Sequence, residues 1–421
     1  MDYKWELKKV GWRSVEVVFA AAMYAWGWFF PDPKIIDGPG AVKRLPAEIK
    51  SRGDKKVLVV TDKGLMGLNL LEGLFEALKA EGVDYVVYDE VQPNPTVDNV
   101  EAARAMFVDN NCDAIVAVGG GSPMDCAKGA MARVARPARP VKKMGGVFRV
   151  IIPSTKMNGL IPPTLYAVPT TAGTGSETTI AAVITDEETK DKFPLMDPFI
   201  RARYAVLDPE LTTGLPRHIT STTGLDALTH AVEGYTNIWY NDKRFNDLGV
   251  EAVKLVFQYL ETACNDPKNL EARGKMLRAS YNAGMCFTRG GVGYVHGIGH
   301  RLGGLYHVPH GLAMSVILTH VFSDALLGPY VYDKLAELAD AVGITGATDE
   351  EKGKAFIKAI RDMEDRLDIP TGFDCIKDED IDLIAERCLA EIMPTYPVKK
   401  IFTKEEIATF IKNEIQIKPE A

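Results

Sequence analysis

Asp226 and His230 stand four residues apart in the block GLDALTH, and His296 and His300 repeat that spacing in HGIGH. On a helix, positions i and i+4 lie on one face, so each pair can aim two side chains at one point. A carboxylate joined by imidazoles suits a borderline divalent cation such as Fe(II) or Zn(II). Calcium and magnesium prefer shells made of oxygen. The chain has seven histidines, and four of them fall between positions 296 and 310. A lone histidine is more often a packing residue, but this density is hard to explain by packing. Asp226, His230, His296 and His310 therefore read as a metal-binding set. His307 reads as a surface loop residue, and His218 and His320 as structural.

A second group of residues could hold a nucleotide. The block VGGGSPMD at 118–125 follows an apolar run and precedes a helical pattern. Glycine permits positive φ and close approach of backbone to a ligand. Ser122 is expected to cap the helix and Pro123 to sit in its first turn. Free amides at a helix N-terminus hold phosphate. The spacing is not GxGxxG, so an ordinary Rossmann fingerprint is absent. The block PTTAGTGSE at 169–177 offers threonine hydroxyls and glycine amides to phosphate, ribose or amide groups. Asp62 ends the first expected strand. An acidic residue there can accept both hydroxyls of an adenosine ribose and repel a 2′-phosphate, which favours NAD(H) over NADP(H). The plain alternatives are a strand-turn-helix connection, a capped loop and a solvated turn aspartate.

These residues need elements to position them. Residues 56–61, 85–88 and 114–118 read as strands, with helices over 70–81 and 97–111. Further strands are expected at 149–152, 165–168 and 180–185. This β-α-β-α-β rhythm implies a parallel sheet covered on both faces. Near Leu207-Asp-Pro209 the pattern turns helical, and proline is scarce over 219–308. Thr348 with Glu351, and Thr403 with Glu406, fit a capping box. The expected architecture is an α/β nucleotide-binding domain over 31–208, then an all-α domain over 209–421 that carries the metal residues. Residues 1–30 form an N-terminal extension.

Composition bounds the rest. A chain of 421 residues can hold two or three domains. Its 46% hydrophobic and 25% charged residues are ordinary for a globular protein. The net charge of −8 argues against nucleic acid or an anionic membrane as the main partner. Six scattered cysteines with no CxxC pair read as reduced thiols of a cytoplasmic protein. Residues 17–30 are an apolar run preceded by Lys8, Lys9 and Arg13. The run is too short to span a bilayer and lacks a small-residue cleavage pattern. An arm packed on the protein body or a neighbouring subunit is favoured over a signal peptide. A homodimer or higher homo-oligomer is expected.

Taken in order, GGGSPMD, PTTAGTGSE, the Asp226/His230 pair and the HxxxH…PHG block resemble the iron-containing alcohol dehydrogenase family. Glycerol dehydrogenase and dehydroquinate synthase are more distant relations. The resemblance spans residues 28–415. It implies metal ligands at Asp226, His230, His296 and His310. It places a pyrophosphate loop at Gly119, Gly120, Gly121 and Ser122, with Asp125 beside it. It places nicotinamide-side threonines at Thr170, Thr171 and Thr174, and Lys192 near the nucleotide. The second histidine of HxxxH is His300. Two features depart from the commoner family pattern. The first two dozen residues are extra, and Arg301 stands where glutamine or proline is usual. One residue past His300 is about 100° round a helix, so Arg301 is expected to face away from the metal and carry little function.

The implied activity is hydride transfer between NAD(H) and a small uncharged aliphatic alcohol or aldehyde, with the cofactor performing the redox step. A divalent ion would act as a Lewis acid on the substrate oxygen, with Fe(II) the expected working ion and Zn(II) a substitute. His300 suits proton exchange with solvent or ribose hydroxyls. The cleft is expected between the domains, outside the carboxyl ends of the strands. Alternatives in the same superfamily are a hydroxyacid–oxoacid transhydrogenase and a polyol dehydrogenase of the glycerol, 1,3-propanediol or lactaldehyde type. A lyase acting on a sugar phosphate would need a basic cluster. Between 219 and 310, only Arg289 and Arg301 stand near the metal blocks, which disfavours an anionic substrate. A scaffold role is poorly supported, since every chemical residue is present.

Overall fold

A computed structural model describes residues 3–29, 31–147, 162–188, 192–238 and 242–417. The chain forms two compact units. One is Phe30–Leu215 with Lys268–Tyr281; the other is Met1–Phe29 with Pro216–Pro267 and Asn282–Ala421. The division therefore falls later than residue 208, and the N-terminal extension counts with the helical unit. Asp208 shows why the first unit runs on. Its carboxylate accepts from Gly40 N at 3.2 Å and Val42 N at 3.0 Å, and Leu211 is buried in that unit's core.

The first unit is built on a six-stranded sheet. Its strands are β1 (Lys34–Asp37), β2 (Lys56–Val60), β3 (Asp84–Tyr88) and β4 (Ala114–Gly119), joined later by β6 (Thr164–Pro169) and β9 (Tyr204–Leu207). The spatial order is β1-β9-β6-β4-β2-β3, and every pair is parallel. Alternation sends Val57 and Val59 into one core and Leu58 and Val60 into the other. All four are fully buried, as a sheet covered on both faces requires. The order reverses between β2 and β4: β3 lies outside β2, while β6 lies beyond β4. Ligands of open α/β sheets bind outside the carboxyl ends of strands at such a reversal.

The expected strand at 149–152 lies outside the described residues. The expected strand at 180–185 is present as β7 (Ala181–Thr185), but in a separate three-stranded sheet with β5 (Gly146–Val147) and β8 (Lys192–Met196). The helix expected over 70–81 is present from Glu72 to Glu81, with a separate short helix before it. After α1 (Tyr3–Phe29) and α2 (Ala41–Ser51) come a short α3 (Lys63–Gly67) and then α4 (Glu72–Glu81). Helices α5 (Val97–Asp109) and α6 (Gly121–Ala135) complete the unit's crossovers.

The second unit is helical. Helix α7 (Arg217–Thr236) packs against α8 (Lys243–Asn265), and α9 (Leu270–Gly290) begins in the segment counted with the first unit. Helices α10 (Tyr294–Tyr306) and α11 (His310–Val321) follow, then α12 (Gly328–Ala341), α13 (Asp349–Arg366), α14 (Ile381–Ile392) and α15 (Lys404–Phe410). Helix α7 is buried from Gly224 to its end, so its polar residues sit inside protein. It also packs on α11. A Cβ at Gly311 would lie 2.9 Å from Thr222 O, so glycine after His310 lets α11 approach α7 this closely. Thr403 forms a full capping box with Glu406. Thr348 caps α13 through Glu351 N, but the Glu351 carboxylate accepts from Ala347 N instead. On α1, Arg13 donates to Val398 O at 2.7 Å and pairs with buried Glu16. Among the described residues, no helix is long and apolar enough to cross a membrane.

Candidate functional site

Helix α7 carries Asp226, His230 and Glu233 at i, i+4 and i+7, which is one stripe of an α-helix. Helix α10 brings His296 and His300, and His310 opens α11. One ligand atom from each of Asp226, His230, His296 and His310 lies within 4.8 Å of the others. Asp226 Oδ1 is 3.8 Å from His230 Nδ1, 4.0 Å from His296 Nε2 and 3.5 Å from His310 Nε2. His230 Nε2 and His296 Nε2 are 3.0 Å apart. Donors bound to one ion at about 2.1 Å stand roughly 3 to 3.5 Å from each other, near these separations.

The set fits a divalent cation on a second count. Asp226 Oδ1 is buried and has no hydrogen-bond partner, a costly state for a carboxylate oxygen. Burial, and then the charge of Glu233, push the Asp226 carboxyl up to about 8. Burial lowers His296, which favours its neutral, ligating form. Asp226, His230 and His296 are buried, and the His310 side chain is 43% exposed, leaving one open side.

Glu233 was not among the expected site residues. His296 Nδ1–H donates to its Oε2 at 2.6 Å, and Val295 N donates to its Oε1 at 2.8 Å. With Nδ1 so engaged, the lone pair of His296 falls on Nε2, the nitrogen beside His230. Glu233 also serves the start of α10, where Gly293 brings no capping side chain. Its position seven residues after Asp226 was the available signal.

His300 stacks on His310 at 5.4 Å between centroids and meets His296 edge-on at 5.6 Å. Its Nδ1 lies 2.6 Å from Glu391 Oε1. Arg301 is not the idle residue expected: its guanidinium pairs with the other oxygen of Glu391. His307 is exposed and closes α10 in the left-handed region, at φ 56°. His218 is exposed, and His320 Nε2 lies 2.8 Å from Thr371 O.

In the α/β unit, two turns meet. Gly119 pairs with Pro169 across β4 and β6, and Thr170 N donates to Gly119 O at 3.0 Å. Gly119 has φ +149°, and a Cβ there would lie 2.5 Å from Pro123 Cγ, so the turn needs glycine. A Cβ on Gly120 would come within 3.3 Å of Thr171 Oγ1, and one on Gly121 within 3.3 Å of Thr174 Cγ2. The two blocks singled out by sequence are thus one surface.

Ser122 does not cap α6; Gly120 occupies that place, and Ser122 Oγ accepts from Asn94 N at 3.3 Å. The helix starts two residues earlier than expected because Gly121 is already helical. Asn94, in the left-handed region at φ 60°, also accepts from Lys192 Nζ at 2.8 Å. It links two expected nucleotide residues. The Asp125 carboxylate accepts from Ser176 Oγ at 3.1 Å and Val183 N at 3.0 Å. Both oxygens are engaged within the protein, so Asp125 fastens the turns together. Buried Lys128 does the same, donating to Ser176 O, Ser176 Oγ, Thr179 Oγ1 and Ala181 O within 2.9 Å. Asp62 follows β2 beside the strand reversal and caps α3, its Oδ1 accepting from Leu65 N at 3.0 Å.

The profile for iron-containing alcohol dehydrogenase matches residues 32–209, and that for the family's C-terminal part matches 220–415. The NAD-dependent methanol dehydrogenase of Bacillus methanolicus is 35% identical over 391 residues, covering 92% of this chain and 99% of its own length. The 1,3-propanediol dehydrogenase of Klebsiella pneumoniae is 36% identical over 360 residues, 84% of this chain and 90% of its own. The crystal structure of a 1,3-propanediol oxidoreductase superposes with a TM-score of 0.84 at 34% identity, over 91% of this chain and 98% of that one. The chain belongs to the iron-containing alcohol dehydrogenase family. It is an oxidoreductase, a nicotinamide-dependent alcohol dehydrogenase.

Proposed function

We propose that this enzyme interconverts small uncharged aliphatic aldehydes and alcohols with NAD(H), using one Fe(II) held by Asp226, His230, His296 and His310. The observation that carries the reading is the buried, unpartnered Asp226 Oδ1 set among three imidazoles. When bound, the ion supplies Lewis acidity toward the substrate oxygen. Zn(II) suits the same donors and can replace iron. The chain's own residues do the rest. Gly119, Gly120, Gly121 and Ser122 offer a turn for the pyrophosphate, and Thr170, Thr171, Thr174 and Lys192 border it. Asp62 favours an unphosphorylated ribose. His300 carries the proton exchanged with solvent.

The absence of a basic cluster near the metal blocks supports an uncharged substrate. Relatives named for methanol, 1,3-propanediol and lactaldehyde are in keeping with that class, which includes short polyols. Six cysteines, five of them buried, suit a cytoplasmic setting, and a homo-oligomer is the expected assembly. The test is NADH oxidation by the Fe(II)-loaded protein against a graded series of short aldehydes, beside metal analysis. One ion per chain and turnover across the series are expected. Full activity after chelator treatment would overturn the metal reading, and preference for a carboxylated or phosphorylated substrate would overturn the substrate class.

A further inference from the structure

We infer that Glu391 is a positioning residue for this reaction, holding His300 in one tautomer and orientation while Arg301 locks the carboxylate that does so. The inference rests on the reading of His300 as the proton carrier. Glu391 lies in the last turn of α14, and α10 packs against α14. Its Oε1 accepts His300 Nδ1–H at 2.6 Å and the Tyr396 hydroxyl at 2.9 Å, while its Oε2 accepts from the Arg301 guanidinium. A carboxylate fixed by three donors has one orientation to offer. His300 cannot turn its ring without losing a charge-assisted hydrogen bond.

The consequence is chemical. With Nδ1–H committed to Glu391, Nε2 is the nitrogen left to exchange protons. As an alcohol is oxidised, its hydroxyl proton passes to Nε2 and from there to water, and Nδ1–H stays in place throughout. The His300 side chain is 30% exposed, so water can reach it. Both oxygens of Glu391 are engaged by donors, so it serves His300 as an acceptor. Arg301 and His300 are neighbours in sequence, and both reach Glu391.

The test combines a spectroscopic and a kinetic readout on the full chain. In protein labelled with 15N-histidine, metal-free and Zn(II)-loaded, His300 should show a protonated Nδ1 and an unprotonated Nε2. Glu391→Ala should mix the two tautomers, and Glu391→Gln, whose amide oxygen still accepts from Nδ1, should restore the single one. Glu391→Ala should lower kcat about tenfold with metal content and KM for NADH unchanged, the low end for loss of an orienting partner. His300→Ala should lower it about a hundredfold. The double variant should be no slower than His300→Ala, because both changes cut one path. If Glu391→Ala slows the His300→Ala protein by the same further factor, Glu391 acts elsewhere and the inference falls. An Nε2–H tautomer in the unmodified protein overturns it too. Should Glu391→Ala fail to fold, Glu391→Met, which fills the space without offering an acceptor, carries the same comparison. A His300→Ala protein with full rate would sink the proton-path reading itself, whereas a slow one beside an unimpaired Glu391→Ala sinks only the role of Glu391.

Discussion

The metal residues announce themselves through spacing, because two i, i+4 pairs are a pattern that helical packing alone seldom needs. Glu391 was silent for a different reason, and Glu233 offered only its place seven residues after Asp226. A carboxylate that acts on an imidazole from another helix leaves no mark in local spacing, and glutamate is common on helices. Glu233→Gln should leave the helices folded and weaken metal binding about tenfold to a hundredfold, the usual cost of losing such a partner. Competition against a chelator of known affinity measures this, and unchanged affinity would mean the bond to His296 is only structural. Asp62 tests cofactor choice at the same scale. It already caps α3 with Oδ1, so Asp62→Gly removes both a cap and a charge. The ratio of kcat/KM for NADPH over NADH should rise, and a better value for NADPH in the unmodified enzyme would remove Asp62 from the ribose site.

Among the elements, long apolar strands were legible and short ones were not. Residues 57–60 and 114–119 are buried on both sides and read as continuous apolar runs. Strands β1 and β9 have four residues each, too few for periodicity to declare itself. The cap was misplaced by two residues because serine is the stronger capping type, yet Gly120 sits where β4 must turn into α6. Geometry there overrides capping preference, and Gly119 is the reason. Gly119→Ala would force φ near +149° on a residue with a Cβ and set that atom against Pro123. Binding of NADH, followed by its fluorescence, should weaken about tenfold, equivalent to ~1.4 kcal/mol. Metal content should stay constant, since no metal residue lies in that turn. Equal loss of metal would show that the change unfolds the chain instead of reshaping the turn.

At the scale of the molecule, the passage from an α/β pattern to a helical one was visible, but the membership of each unit was not. Residues 268–281 read as ordinary helix, and nothing in their periodicity assigns them to the earlier unit. Their side chains do. Tyr281 donates to Pro33 O at 3.1 Å, Gly175 N donates to Ser280 Oγ at 3.2 Å, and Arg278 pairs with Asp37. This borrowed segment sets a timetable. On the ribosome, chains emerge N-terminus first and domains fold as units. The nucleotide-binding unit cannot close when Leu215 leaves the exit tunnel; it must wait until the polypeptide has been extended through Tyr281. A nascent chain stalled just past Leu215 should remain open to protease, and one stalled well past Tyr281 should be protected over the same residues.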